Sequence, residues 1–189
     1  EAVAALDSLT IAVEPDSARR ATQRAAAVRA LAGTAAQTRT LSAGSGAPIP
    51  YRVYAPANRA PGARLPLVVA LHGAGGDENM FLEAYGAGAI RGLADARGFI
   101  VATPATMAML RSPDALARLI DTLAAELPVD RTRVYLLGHS LGAAAAWNVA
   151  RQRPDLVAAV ACISGACGGV PAPAPPRVPP LLSVVGELD

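Results

Sequence analysis

Val134-Tyr135-Leu136-Leu137-Gly138-His139-Ser140-Leu141-Gly142-Ala143-Ala144-Ala145-Ala146 changes its character halfway along. Val134 to Leu137 is a continuous apolar run, the pattern of a strand covered on both faces of a parallel sheet. From Leu141 to Arg151 the composition is alanine-rich and helix-forming. Between the two, Gly138-His139-Ser140-Leu141-Gly142 fits G-x-S-x-G with a strand before it and a helix after it, the context that gives the pattern its meaning. A serine at so sharp a corner must hold a strained backbone, and flanking glycines remove the side chains that would collide there. The Ser140 hydroxyl is therefore expected to stand clear of the sheet as a candidate nucleophile. The N–H of Leu141, in the first turn of the helix, lacks an intrahelical acceptor and can donate to a developing oxyanion, helped by the helix dipole. The bland alternative is a chance glycine-rich turn.

Working outward, four further apolar runs read as strands. Leu67-Val68-Val69-Ala70-Leu71 stops at His72-Gly73, and Phe99-Ile100-Val101-Ala102-Thr103 stops at Pro104. Val157 to Ile163 and Leu181 to Val185 follow the corner. Pro50-Tyr51-Arg52-Val53-Tyr54 alternates as a half-buried strand after the Ser42–Gly46 loop, which suggests an edge hairpin. Helices fit between these runs. Glu78 to Arg97 can be helical, although Gly86, Gly88 and Gly92 weaken it. Ser112 is a candidate N-cap with Pro113 at the first helical position, and Leu116, Leu119, Ile120 and Leu123 form a one-sided apolar stripe. Asp16 to Leu31 predicts an N-terminal helix with Gly33 as its stop. The division expected is residues 1–36 as a helical extension and 37–189 as the core. The fold class expected is α/β, a doubly wound, mostly parallel sheet with right-handed crossovers and helices on both faces.

Composition narrows the classes of function. With 189 residues, the chain has single-domain length and can bury roughly 70% of the surface it exposes when unfolded. Hydrophobic residues make up 52% and charged residues 17%, which favours a packed body over disorder. The formal charge is +2, with arginines scattered instead of clustered, which argues against a nucleic-acid partner. Pro, Gly or Arg interrupts each apolar stretch before it could span a bilayer. Cys162 and Cys167 read as buried thiols near a strand end, and no ligand spacing for a metal appears with His72 or His139. No cofactor is implied.

A second glycine-rich turn, Leu71-His72-Gly73-Ala74-Gly75-Gly76, lies where the other half of an oxyanion hole is expected, and the Ala74 N–H is the candidate second donor. Gly73, Gly138 and Gly142 are expected to support the two turns. In the order serine, acid, histidine that accompanies this corner, Asp189 just past the last apolar run is the candidate acid, with Glu187 a rival. The base is harder to find. His139 adjoins Ser140, so its side chain is expected to point away, and His72 sits on the oxyanion turn, where ordering the loop suits it better. The expectation is therefore that the catalytic histidine, a further strand and a closing helix follow Asp189, the chain being a fragment.

The series Tyr51–Pro56, Leu67–Gly76, Ala96–Val101, Val129–Tyr135 leading into the corner, and Pro154–Val160 resembles the polyhydroxybutyrate depolymerase and feruloyl esterase type of α/β-hydrolase serine esterase. The resemblance implies an α/β-hydrolase fold, here C-terminally incomplete, and hydrolysis of carboxylic esters through an acyl-serine. It implies Ser140 as nucleophile, Asp189 as acid and the Leu141 and Ala74 amides as oxyanion donors, on a small-molecule or accessible polymeric ester, and favours a secreted or periplasmic site. The chain departs from the type in the short segment after Pro104 and in the lipase-like His-Ser-Leu-Gly-Ala. About fifteen Pro-rich residues between the fourth and fifth strands are too few for a helical cap, so no cap domain and an open site are expected. Trp147 reads as core packing. A peptidase or thioesterase of the same fold, or a hydrolase-like binding module without catalysis, are the alternative readings.

Overall fold

Seven strands form one sheet in the order β1-β2-β4-β3-β5-β6-β7 in the computed structural model, which describes residues 36–42, 48–57, 62–112, 114–168 and 177–186. The strands are β1 (Gln37–Leu41), β2 (Ile49–Tyr54), β3 (Leu65–Leu71), β4 (Ile100–Pro104), β5 (Val129–His139), β6 (Ala159–Ile163) and β7 (Leu181–Val184). β1 and β2 form the antiparallel edge hairpin and β2 lies antiparallel to β4, whereas β4, β3, β5, β6 and β7 are mutually parallel. The sequence-based expectation of a mostly parallel sheet holds. The stretch expected to form an N-terminal helix, Pro113, the 171–176 stretch of the Pro-rich connector, Glu187 and Asp189 lie outside the described residues.

Alternation along the strands divides the core in two. Leu67, Val69 and Leu71 of β3, Ile100 and Ala102 of β4 and Val134 and Leu136 of β5 face one side. There they meet α2 (Thr106–Arg111), α3 (Ala115–Glu126) and α4 (Leu141–Gln152). Ala70, Val101, Leu137 and Tyr54 face the other side, against Ile90 and Ala94 of α1 (Ala89–Arg97). The predicted stripe Leu116, Leu119, Ile120 and Leu123 is the buried face of α3. Leu119 and Leu123 are fully buried, each contributing about 2 kcal/mol from removal of apolar surface.

Two local expectations are corrected, and one helix goes beyond them. The stretch from Glu78 is not one helix: Met80–Ala84 makes a wide turn, Gly86, Ala87 and Gly88 take positive φ, and regular helix begins only at Ala89. α3 starts two residues beyond the expected cap, with Asp114 at the N-cap position, while Ser112 Oγ accepts a hydrogen bond from Arg118 at 2.6 Å. Thr106–Arg111, in the short segment after Pro104 to which the sequence reading assigns no element, is a helix.

A third correction concerns chemistry. Cys162 and Cys167 are not free thiols but a disulfide, with Cα atoms 6.4 Å apart. Ser164, at φ 45°, turns the chain just past β6, and Cys167 comes back against the Ala143 carbonyl at 3.1 Å. The bridge closes a short loop, whose chain-entropy worth is about 2 kcal/mol. Replacing both cysteines with alanine is expected to lower unfolding stability by that amount, read from urea denaturation; a variant as stable as the oxidised protein would contradict it.

Tyr54 joins β2 to α1 by donating its hydroxyl proton to Asp95 at 2.7 Å. Burial first, and the Asp95 carboxylate second, push its phenol up to about 12. The raised value means that the folded state favours the neutral phenol, so the stabilisation is complete below about pH 10 and disappears as pH rises towards 12. Tyr54→Phe is expected to flatten the fall in stability over that window in alkaline denaturation curves.

Candidate active site

β5 ends at His139, Ser140 takes φ 54° and ψ −118°, and α4 begins at the next residue. A positive φ at a residue with a Cβ is strained, and it persists only where the surroundings over-determine it. Here they do. The Ser140 N–H donates to Ile163 of β6 at 2.9 Å, and the Ser140 carbonyl accepts the Ala143 N–H at 3.0 Å. A Cβ on Gly138 would lie 2.1 Å from the Gly142 carbonyl oxygen, and one on Gly142 would lie 1.9 Å from that of Leu71. Gly165, past β6, is held as tightly, 2.4 Å from the Ser140 carbonyl oxygen by the same measure. Ser140 itself is half-buried, and its hydroxyl makes no hydrogen bond among the described residues. As the first helical residue, Leu141 has an N–H with no intrahelical acceptor.

The turn after β3 comes alongside this corner. A Cβ on Gly73 would lie 3.3 Å from the Ser140 Cβ and 3.1 Å from His139 Nδ1, so the two glycine-rich turns meet edge to edge. Gly76 closes the turn by donating to the Gly73 carbonyl at 3.2 Å, leaving Ala74 and Gly75 exposed at its tip. His72 is buried beneath it. Its Nδ1 lies 2.9 Å from the Gly73 carbonyl and its Nε2 3.1 Å from the Thr106 N–H. A carbonyl only accepts and an amide only donates, so the ring carries its proton on Nδ1 and both nitrogens are engaged. Thr106 Oγ1 also donates to the His72 carbonyl at 3.0 Å, anchoring the turn to the start of α2.

His139 is engaged by Tyr85, its Nδ1 3.1 Å from the Tyr85 hydroxyl and its ring edge-on to Tyr85 at 4.8 Å. The structure thus brings together Ser140, Leu141, His139, Gly138, Gly142, Gly73, Ala74 and His72, while Asp189 lies outside the described residues. Neither histidine is hydrogen-bonded to Ser140. Sequence reasoning missed Tyr85, Thr106 and Gly165. Tyr85-Gly86-Ala87-Gly88 carried a signal, since two glycines in three residues mark a turn better than a helix. Trp147 is buried, its indole N–H donating to the Gly168 carbonyl at 2.8 Å. Among the described residues no cluster of His, Cys, Asp or Glu could hold a metal ion, and no helix is long and apolar enough to cross a membrane.

Because the Leu71 oxygen is backbone on a central strand, the contact at Gly142 cannot relax cheaply. Gly142→Ala is expected to cost at least about 3 kcal/mol in chemical denaturation, by overpacking and backbone displacement. A loss below 1 kcal/mol, on the order of a surface substitution, would contradict that packing.

Comparison with known proteins agrees with this architecture. Residues 68–188 match the model of the alpha/beta hydrolase family. A curated protein of Nocardia uniformis subsp. tsuyamanensis, named "Putative esterase NocK", is 32% identical over 140 residues, covering 66% of this chain and 40% of its own length. The chain superposes on a thermostable esterase with a TM-score of 0.60 at 22% identity, over 80% of this chain and 55% of that one. A ferulic acid esterase from Anaeromyces mucronatus, solved with ferulic acid, gives 0.60 at 20% identity over 73% and 60%. An acetyl xylan esterase from Aspergillus awamori gives 0.59 at 21% over 72% and 54%. The chain spans less than two thirds of the length of each of these relatives. With the matched segment running from β3 through the Ser140 corner to β7, the chain belongs to the alpha/beta hydrolase family.

Proposed function

We propose that these residues form the nucleophile and oxyanion portion of a serine esterase acting on carboxylic esters. One observation carries the reading: Ser140 stands in a strained strand-to-helix corner, half-buried, with the Gly73 turn against it and the free Leu141 N–H beside it. Ser140 Oγ attacks the acyl carbonyl, and the Leu141 and Ala74 amides donate to the oxyanion that develops. Collapse of that intermediate expels the alcohol and leaves an acyl-serine, which water then hydrolyses. The 32% identical relative bears an esterase name, and ferulic acid and acetyl xylan esterases share the fold, which supports an ester as the acyl donor.

The general base comes from outside residues 1–189 in this reading. His72 has both ring nitrogens committed, and His139 is held by Tyr85. Asp189 orients the incoming histidine and stabilises its imidazolium. The disulfide supports an oxidising compartment, since such bridges are rare where thiols are kept reduced.

The test is fluorophosphonate labelling and p-nitrophenyl ester hydrolysis with the complete enzyme. Ser140→Ala is expected to abolish labelling and lower kcat by at least about 10⁴-fold. Labelling that survives the substitution would place the nucleophile elsewhere.

A further inference from the structure

We propose that Tyr85 is a positioning residue for this site. Its hydroxyl takes the Gly73 N–H and faces His139 Nδ1, holding the Gly73–Ala74 turn against the Ser140 corner and so setting the separation of the Ala74 and Leu141 amides. The inference rests on the esterase reading above and extends it to a residue that touches neither substrate nor nucleophile.

Tyr85 is the one side chain that hydrogen-bonds both turns among the described residues: the Gly73 N–H lies 3.3 Å from its oxygen, and His139 Nδ1 lies 3.1 Å away. The Gly73 amide can only donate, so the oxygen accepts there and keeps its own proton and a second lone pair for His139 Nδ1, whichever tautomer that ring adopts. The ring is gripped as well, edge-on to Phe81 at 4.9 Å and to His139 at 4.8 Å, so the hydroxyl has little freedom to drift from either partner.

The backbone that presents Tyr85 is strained. Immediately after it, Gly86, Ala87 and Gly88 all take positive φ, and Ala87 does so with a Cβ, at φ 55°. Gly88 is pressed against Leu82, whose carbonyl oxygen would lie 2.2 Å from a Cβ. A regular helix through these residues would avoid that strain but would turn the aromatic ring with the helix and off the two turns. Both amides that the oxyanion requires are main-chain groups on separate segments, the tip after β3 and the first residue of α4. Nothing covalent fixes the gap between them, and a donor displaced by even 1 Å loses much of its effect, which can reach about 10²-fold in rate.

Tyr85→Phe keeps the ring contacts and removes only the hydroxyl. With the complete enzyme and p-nitrophenyl acetate, it is expected to lower kcat about tenfold while KM stays within about twofold, because amide placement matters most when charge develops. Melting temperature should hardly move. Phe81→Leu, which thins the packing under the ring but spares the hydroxyl, should lower the melting temperature and keep kcat. Wild-type kcat in Tyr85→Phe would overturn the proposal, as would an equal loss of kcat in Phe81→Leu. Ser140→Ala separates the two ideas: turnover that survives it removes the esterase reading itself, whereas its loss beside an unimpaired Tyr85→Phe overturns only the role of Tyr85.

Discussion

Gly142 leaves no space for a side chain, because a Cβ there would lie 1.9 Å from the carbonyl oxygen of Leu71. Helix α4 is seated directly on the end of β3, backbone against backbone, and that contact sets where the helix starts. With Gly138 and Gly165 equally crowded, the chain between β5 and α4 is left a single compact path, through a left-handed Ser140. The strain at that residue is offset by the hydrogen bonds at both of its ends and by the apolar face that α4 buries. Removing any of the three hydrogens-for-side-chains would move the serine, the helix or the sheet.

The sheet makes this corner possible by being buried on both sides. Val134 and Leu136 point to α2, α3 and α4, whereas Leu137 points to α1, so β5 cannot slip by one residue without exchanging its two cores. Its end is therefore fixed relative to the ends of β3 and β6, from which the neighbouring turns spring. The His72 and Gly73 turn is braced from the start of α2 through Thr106, while the turn after β6 is tied back to β6 by the disulfide and to α4 by the Trp147 indole. Three successive strand ends thus deliver their turns to one edge of the sheet, the place where ligands bind in open α/β sheets. The comparison structures superpose on most of this chain despite identities near 20%.

Much of the pattern was legible locally. Runs such as Val68 to Leu71 and Ile100 to Ala102 are apolar on both faces, which only a covered strand tolerates, and the stripe from Leu116 to Leu123 has helical spacing. G-x-S-x-G between a strand and a helix announced the corner because its geometry demands those glycines within five residues of one another. What failed was local too. Tyr85 to Gly88 lies within a window that composition could read as weak helix, and its actual path is set by Leu82 and by the two turns it faces. The α3 start shifted by two residues because Ser112 is occupied by Arg118 and does not cap.

The amino-acid sequence by itself determined the succession of the parallel strands, the two-sided burial of the central ones and the serine corner, since each depends on residues within a few positions of one another. Tertiary structure alone decided the pairing of Cys162 with Cys167, the tautomer of His72 and the meeting of Tyr85 with Gly73 and His139. Those depend on how far apart folded segments come to rest, and a contact between residues 12 or 54 positions apart follows from the packing of a whole sheet, not from the spacing of side chains along a chain.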